Sequence, residues 1–419
     1  MRLKLENNAL QGTITIPPSK SAAHRALICA SLAKGESKLS NVGNSKDIEA
    51  TISALKSLGA SIIEKDNLLL VKGALTNTNT EVFCGESGST LRFLIPVALM
   101  NEGSYSFKGQ GRLMQRPLEE YFKIFNQNNI HHYMSEDSLH VQGVLSGGEY
   151  KIRGNISSQY ITGLLLALPL AETDSKIIIE GELESRSYVD MTIEMQSTFG
   201  VKIEETSDGF FIKGKQEYKP KDIEIEGDFS QAAFWIVANA LGSDIKLKGL
   251  KKESLQGDKV MLKIAEQAGC KSVFEDDFIH NNGKAELPIC ADVADCPDIV
   301  PILAVLCCAL KGKSEIVNAA RLRLKESDRL AAITKELSKL GAQIIEESDQ
   351  LIINGGFALL GGEVECHNDH RIAMALAIAS QLCSTPVIIN GAECVGKSYP
   401  DFWAHYKMLG GKVNECSLG

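Results

Sequence analysis

No apolar run in this chain is long enough to cross a bilayer. The longest, Ile161–Ala171 and Ile299–Leu310, fall short of the roughly 20 residues a spanning helix needs. The opening Met1-Arg2-Leu3-Lys4-Leu5-Glu6 has no apolar signal core. The expectation is therefore a cytoplasmic protein with no membrane partner. No CxxC pair occurs among the 11 scattered cysteines, which disfavours disulfides and zinc. Cys307 and Cys308 sit in an apolar helical run, where a thiol behaves as a small hydrophobe. A surplus of positive charge is also missing. The formal net charge is −9, which argues against nucleic-acid binding but permits a local cationic pocket. Gly-x-x-x-x-Gly-Lys is absent, so a nucleoside triphosphate is disfavoured.

What the chain does contain is a repeat. Its 419 residues exceed one ordinary core, so two domains are expected. Helix-like segments end at Leu58-Gly59-Ala60, Asn128-Asn129-Ile130, Phe199-Gly200-Val201, Ala268-Gly269-Cys270, Leu340-Gly341-Ala342 and Leu409-Gly410-Gly411. Their middle residues lie 70, 71, 69, 72 and 69 apart. Five of them precede a strand–turn–strand pattern such as Ile344–Ile353, and the chain stops before the sixth completes one. A second, more apolar helix opens near Ser21, Ser89, Ser158, Ser230, Asp298 and Asp369, at steps of 68, 69, 72, 68 and 71. Two landmarks sharing one period predict six α/β units. The second helices are apolar nearly all round, which implies burial on most faces. The first are amphipathic, as in Ile48, Ile52, Leu55 and Leu58.

Helix starts leave backbone N–H groups without partners and carry partial positive charge. Ser, Asp or Asn at such a place ordinarily only caps the helix. Here several starts also carry cations: Lys20 and Arg25, Arg92, and His370 with Arg371. Arg116-Pro117, Lys325 to Arg329 and Lys397 to Asp401 are read as openings of amphipathic helices, with Pro117 at a favourable early position. Cations at equivalent corners predict one cationic pocket for a ligand of several negative charges.

The ordered segments Pro18-Ser19-Lys20-Ser21-Ala22-Ala23-His24-Arg25, Gly85 to Arg92, Gln115-Arg116-Pro117, Ser157-Ser158-Gln159-Tyr160, Ser185-Arg186-Ser187-Tyr188, Arg321 to Arg329, Asn368-Asp369-His370-Arg371 and Lys397-Ser398-Tyr399-Pro400-Asp401 resemble the 5-enolpyruvylshikimate-3-phosphate synthase family. The resemblance implies an α/β fold of two globular domains, each an inside-out barrel of three βαβαββ units. One domain would span residues 1–16 plus 228–419, the other 17–227. Crossovers are placed near Pro17 and Gly227, and substrate would close the cleft. It further implies a monomer without cofactor or metal. The activity implied is transfer of the enolpyruvyl group of phosphoenolpyruvate to the 5-hydroxyl of shikimate 3-phosphate.

By the same resemblance, shikimate 3-phosphate would meet Lys20, Ser21, Arg25, Ser157, Ser158, Gln159, Ser185, Asp298 and Lys325. Phosphoenolpyruvate would meet Lys20, Gly88, Arg116, Gln159, Arg329, Arg371 and Lys397. The residue types suit the division. Hydroxyls suit a hydroxylated ring, arginine forks suit carboxylate and phosphate, and Gly88 lets backbone approach a phosphate. Addition–elimination needs a base and an acid. Asp298 is the candidate base and Glu326 the candidate acid, with Lys20 and Lys325 shaping the charge. Asp298 could instead serve only as a helix cap after Pro297, and Glu326 only as a partner for Arg329.

The family commonly has Asn where Glu86 stands. A carboxylate beside bound phosphate repels it unless protonated or paired, so Glu86 is expected to turn away or to form a salt bridge. A related transferase acting on UDP-N-acetylglucosamine carries Lys-Asn where this chain has Lys20-Ser21, and lacks the Asn368–Arg371 run. A non-catalytic binder would have no need of both Asp298 and Glu326. His367, Asp369 and His370 match no strong metal spacing, and Arg371 beside them disfavours a cation.

Overall fold

The computed structural model describes residues 1–66, 68–275 and 277–416. The chain separates into two compact units. A continuous unit covers Pro18–Ile225, and a discontinuous unit joins Met1–Pro17 to the chain from Glu226 onward. The continuous unit carries α1 (Lys20–Leu32), α2 (Lys46–Ser57), α3 (Gly88–Ala98), α4 (Glu119–Gln127), α5 (Ser158–Ala167) and α6 (Arg186–Thr198). The discontinuous unit carries α7 (Phe229–Ala240), α8 (Val260–Gln267), α9 (Val300–Ala309), α10 (Arg329–Lys339), α11 (His370–Ala379) and α12 (Phe402–Met408).

The odd-numbered helices are the apolar series. Every residue of α7 and of α11 is buried: apolar residues make up most of each helix, and the polar ones, among them Ser230 and Arg371, are buried with them. Helices α7, α9 and α11 pack on one another in the core of their unit. In the continuous unit α3 packs on α5, and α1 and α5 pack on α6, within a second core. The even helices are two-faced: α10 buries Leu330, Ile333 and Leu337 and exposes Lys335 and Lys339.

Six four-stranded sheets accompany these helices among the described residues. Asn79–Phe83 and Gly103–Lys108 run parallel, joined through α3, since parallel neighbours need a crossover. After α4 a hairpin follows, Ser138–Gly143 against His131–Met134, and the first of these pairs antiparallel with Gly103–Lys108. The same order recurs over Glu149–Arg153, Ser175–Glu180, Gly209–Ile212 and Ile203–Thr206. It recurs again over Cys290–Asp292, Gly312–Val317, Leu351–Gly355 and Gln343–Glu346.

Each unit closes by borrowing a strand from its other end. Ile223–Glu224 joins Glu36–Ser40, and Gln11–Thr15 joins Asp244–Lys248. Among the described residues the sixth repeat shows one hairpin strand of its own, Val413–Glu415. Arg2–Leu5 takes the place of the other, antiparallel to both Val387–Asn390 and Val413–Glu415.

The sequence landmarks prove to be helix stops. Gly59, Gly200, Gly269, Gly341 and Gly410 all have positive φ, and Asn129 stands at φ 54°. Ala60 N–H donates to the Leu55 carbonyl at 3.0 Å and Ile130 N–H to that of Phe125 at 2.8 Å, closing a left-handed cap that glycine or asparagine adopts most readily.

Two expected starts are corrected: α12 begins at Phe402, after the whole of Lys397 to Asp401, and α4 begins late in the same way. Helix α4 begins at Glu119, so Arg116-Pro117 precedes it and Pro117 is not in its first turn. The Pro117 carbonyl is held aside by Arg92 Nη2 (2.9 Å) and the Tyr160 hydroxyl.

Candidate active site

In the discontinuous unit the cations gather on Asp298. This residue lies in a short 3-10 turn, Pro297–Ile299, just ahead of α9. Its Oδ1 accepts from Arg329 Nη1 at 3.0 Å and faces Lys325 Nζ at 3.3 Å. Its Oδ2 accepts from Arg371 Nη2 at 3.0 Å. The residue that directly precedes α9 is Ile299, and each Asp298 oxygen meets a cation.

Arg329 opens α10 and is bonded at every nitrogen. Nε reaches Asp369 Oδ2 (2.8 Å), Nη1 reaches Asp298, and Nη2 reaches Glu326 Oε2 (2.7 Å). The guanidinium and Asp369 are buried, with side chains 1% and 0% exposed, whereas Asp298 and Glu326 keep 22% and 18%. A buried cation thus holds two partly accessible carboxyls, one on each end nitrogen.

Asp369 caps α11 by accepting from Arg371 N–H at 2.9 Å, and Ser327 Oγ donates to it at 2.9 Å. Burial alone would raise the Asp369 carboxyl, but the Arg329 guanidinium outweighs it and holds the group below the usual range. For Lys325 burial dominates and lowers its pKa, against the opposing charge of Asp298. Lys397 ends a 3-10 turn, Ala392–Lys397, and donates to the Asn368 carbonyl at 2.7 Å. His367 turns to Glu336 Oε1 at 2.8 Å.

Beneath this cluster lies a carboxyl that sequence reading missed. Arg371 Nη2 also donates to Ser230 Oγ (3.0 Å), and Ser230 donates to Asp258. Burial and the charge of Asp298 push the Asp258 carboxyl up to about 6. Folded, Asp258 binds its proton more tightly than an unfolded aspartate. Its contribution to stability is therefore present below about pH 4 and lost as pH rises through about 6. In urea unfolding Asp258→Asn should match the parent's stability and midpoint near pH 4 and exceed the parent's stability at pH 8 by about 1–3 kcal/mol. Equal midpoints at pH 8 would contradict this.

In the continuous unit the candidate residues stand at the helix starts. Ser19 caps α1, whose first residues are Lys20 and Ser21. Lys20 Nζ pairs with Asp47 Oδ2 at 2.7 Å. Arg25, one turn on, is buried. It donates from Nε to Thr192 (2.8 Å), from Nη1 to the Ser21 carbonyl (2.6 Å) and from Nη2 to the Tyr188 carbonyl (2.8 Å). Burial draws its pKa down to about 10, so it stays charged near neutrality. Ser157 caps α5, Ser158 and Gln159 begin it, and Ser185 heads α6 in a left-handed conformation at φ 56°.

Gln159 bridges two helices, donating to Ser89 Oγ (3.1 Å) and accepting from Arg92 Nη1 (2.8 Å). Gly88 is the first residue of α3, and a Cβ there would lie 2.5 Å from Arg116 Nη1. The Arg116 guanidinium thus rests on the face that a side chain at 88 would fill. Glu86 folds against Gly111, where an added Cβ would meet its Oε2 at 2.7 Å.

Within each unit, then, candidate residues do meet. Asp298, Lys325, Arg329 and Arg371 form one cluster that also takes in Glu326. Gly88 meets Arg116, and Arg25 meets the backbone of Ser21. Ser157, Ser158 and Ser185 share helix starts rather than side-chain contacts among the bonds described. Asp47 and Asp258 were illegible in sequence. Their partners stand 27 and 28 residues upstream, and no local pattern in the sequence marks either pair.

The sequence profile of the EPSP synthase family (3-phosphoshikimate 1-carboxyvinyltransferase) matches residues 5–406. The chain is 51% identical to a 3-phosphoshikimate 1-carboxyvinyltransferase of Clostridium kluyveri, over 98% of this chain and 97% of the relative. It is 47% identical to one of Clostridioides difficile, over 100% and 99%. Among solved structures it resembles EPSP synthase from Acinetobacter baumannii, with TM-score 0.81 and 25% identity over 99% and 100% of the two chains. The enolpyruvyl transferase NikO from Streptomyces tendae shares the fold, with TM-score 0.80 at 15% identity over 99% and 98%.

Proposed function

Because the chain belongs to the EPSP synthase family, we propose that it transfers the enolpyruvyl group of phosphoenolpyruvate to the 5-hydroxyl of shikimate 3-phosphate and releases inorganic phosphate. The observation that carries the chemistry is the Arg329 guanidinium held between Asp298 and Glu326, with Arg371 and Lys325 on the same carboxylate. Such a cluster offers anion-binding cations and two proton-handling groups at one place.

On this reading Asp298 accepts the proton of the attacking 5-hydroxyl as its oxygen bonds to C2 of phosphoenolpyruvate. Glu326 donates a proton to the methylene carbon. In the tetrahedral adduct the Glu326 carboxylate takes a proton back from the methyl carbon, the C2–O bond to phosphate breaks as the double bond re-forms, and the departing phosphate takes the proton held by Asp298. Lys20 and Lys325 offset the negative charge of the phosphorylated reactants. Arg116, Arg329, Arg371, Lys397, Gln159 and Gly88 serve phosphoenolpyruvate. Ser21, Arg25, Ser157, Ser158, Gln159, Ser185, Asp298 and Lys325 serve shikimate 3-phosphate. The reading extends to a cytoplasmic protein and to a monomer, the second of which light scattering of the purified protein tests. No helix among the described residues is long and apolar enough to cross a membrane.

The test of the activity is phosphate release with both substrates and no added metal. Release must need both substrates. None with shikimate 3-phosphate present ends the proposal.

Gly88→Ala gives a sharper expectation. The new methyl must displace the Arg116 guanidinium, and a misplacement of that size costs about 10- to 100-fold in kcat/KM. The loss should fall on the phosphoenolpyruvate KM, with that of shikimate 3-phosphate little changed. Equal losses for both substrates would count against the contact.

A further inference from the structure

A buried polar chain in the continuous unit is left unused by these roles. His24 Nδ1 stands 2.7 Å from Thr51 Oγ1, which stands 2.6 Å from Thr90 Oγ1, and Thr90 Oγ1 donates to Ser87 Oγ at 2.7 Å. All four side chains are buried. They belong to α1, α2 and α3 with its cap. Ser87 caps α3 immediately before Gly88 and accepts from Thr90 N–H at 3.2 Å. His24 lies one turn after Lys20, and Thr51 one turn after Asp47, the partner of Lys20.

Each hydroxyl has a single proton. Thr90 gives its own to Ser87, and Thr51 has two acceptors within reach, Thr90 Oγ1 at 2.6 Å and the Asp47 carbonyl at 3.2 Å, of which the nearer makes the tie. Thr51 then has no proton for the imidazole, and His24 must donate from Nδ1. Nε2 is left as a bare acceptor, buried and with no hydrogen-bond partner among the described residues. The charged groups facing the ring are Lys20 and Arg25 from α1, with Asp47 of α2 tied to Lys20; α3 presents the edge-packed Phe93 at 6.4 Å. Burial first, then the two cations, hold His24 well below the usual histidine range.

We propose that His24 is a positioning residue: as an Nδ1–H donor it ties the turn of α1 that carries Lys20, through Thr51, Thr90 and Ser87, to the start of α3 that carries Gly88. Its consequence for catalysis rests on the roles given above to Lys20 and Gly88; the hydrogen-bond chain does not. Asparagine can put its amide N–H where Nδ1–H stands, whereas leucine cannot. Valine at position 90 keeps the shape and breaks the far end of the chain.

Two measurements on the full chain test this. In a nitrogen-15 spectrum of histidine-labelled protein, the resonances lost in His24→Asn should report an Nδ1–H ring that does not titrate between about pH 5 and pH 9, where an ordinary histidine would. An Nε2–H ring, or titration near the ordinary value, overturns the proposal. In steady-state kinetics, His24→Leu and Thr90→Val should each raise the phosphoenolpyruvate KM about tenfold, as expected for one buried hydrogen bond. Both should alter kcat less, and His24→Asn should stay within about twofold of the parent. Should Thr90→Val, folded by circular dichroism, keep the parent KM, or His24→Asn fail as badly as leucine, the tie has no positioning role. A parent that releases no phosphate refutes the functional reading instead, and the spectrum still decides the hydrogen-bond chain.

Discussion

Replacing Arg329 by leucine is expected to abolish phosphate release and to lower stability by about 3–5 kcal/mol, the cost of leaving a buried charge without its partner. The size follows from where the lost contacts lie. Asp369 is fully buried and is met by Arg329 Nε at 2.8 Å. Leucine offers that carboxylate nothing, and Ser327 and the α11 backbone cannot neutralise a charge. Asp298 and Glu326 lose the guanidinium that orients them in the same step. Arg329→Lys should recover part of the stability but little activity, since an ammonium cannot reach three carboxylates as the planar fork does. Urea unfolding of the three proteins at one pH, beside their phosphate release, reads both effects. A leucine variant as stable as the parent would show that the buried pair contributes nothing net.

For Asp298→Asn the expected pattern is a split between binding and turnover. The carboxylate is the common counter-charge of Lys325, Arg329 and Arg371. Neutralising it leaves those cations with less negative charge to answer, so anionic substrates should bind as well as before or better. Loss of a general base costs about 100- to 10,000-fold in rate. The variant should therefore show kcat lowered by that factor with KM for phosphoenolpyruvate unchanged or reduced. A variant with raised KM and unchanged kcat would make Asp298 a binding group rather than the base.

Much of the architecture was legible because it rests on local rules repeated six times. Left-handed caps at Gly59, Asn129, Gly200, Gly269, Gly341 and Gly410 leave a mark in any sequence, since few other residues take that conformation cheaply. Helices that are mostly apolar all round, such as α7 and α11, have mainly an interior to go to. Polar residues heading them cap them through Ser19, Ser87, Ser157, Asp228 and Asp369. The cations at those heads were equally readable, as were the family motifs they compose.

Local rules did not reveal who pairs with whom. Lys20 with Asp47, Arg371 with Ser230 and Asp258, and His24 with Thr51 and Thr90 join residues whose nearness depends on how helices pack. Arg2–Leu5 completing the last sheet depends likewise on where the chain's first strand returns. Sequence by itself determined the period, the caps, the buried helices and the residue types at their heads, because each follows from the conformational preference or polarity of a few neighbours. Only the tertiary structure decided the counter-charges, the protonation of Asp258 and the hydrogen-bond partners of His24, because burial and Coulomb interactions act through space between residues far apart in the chain.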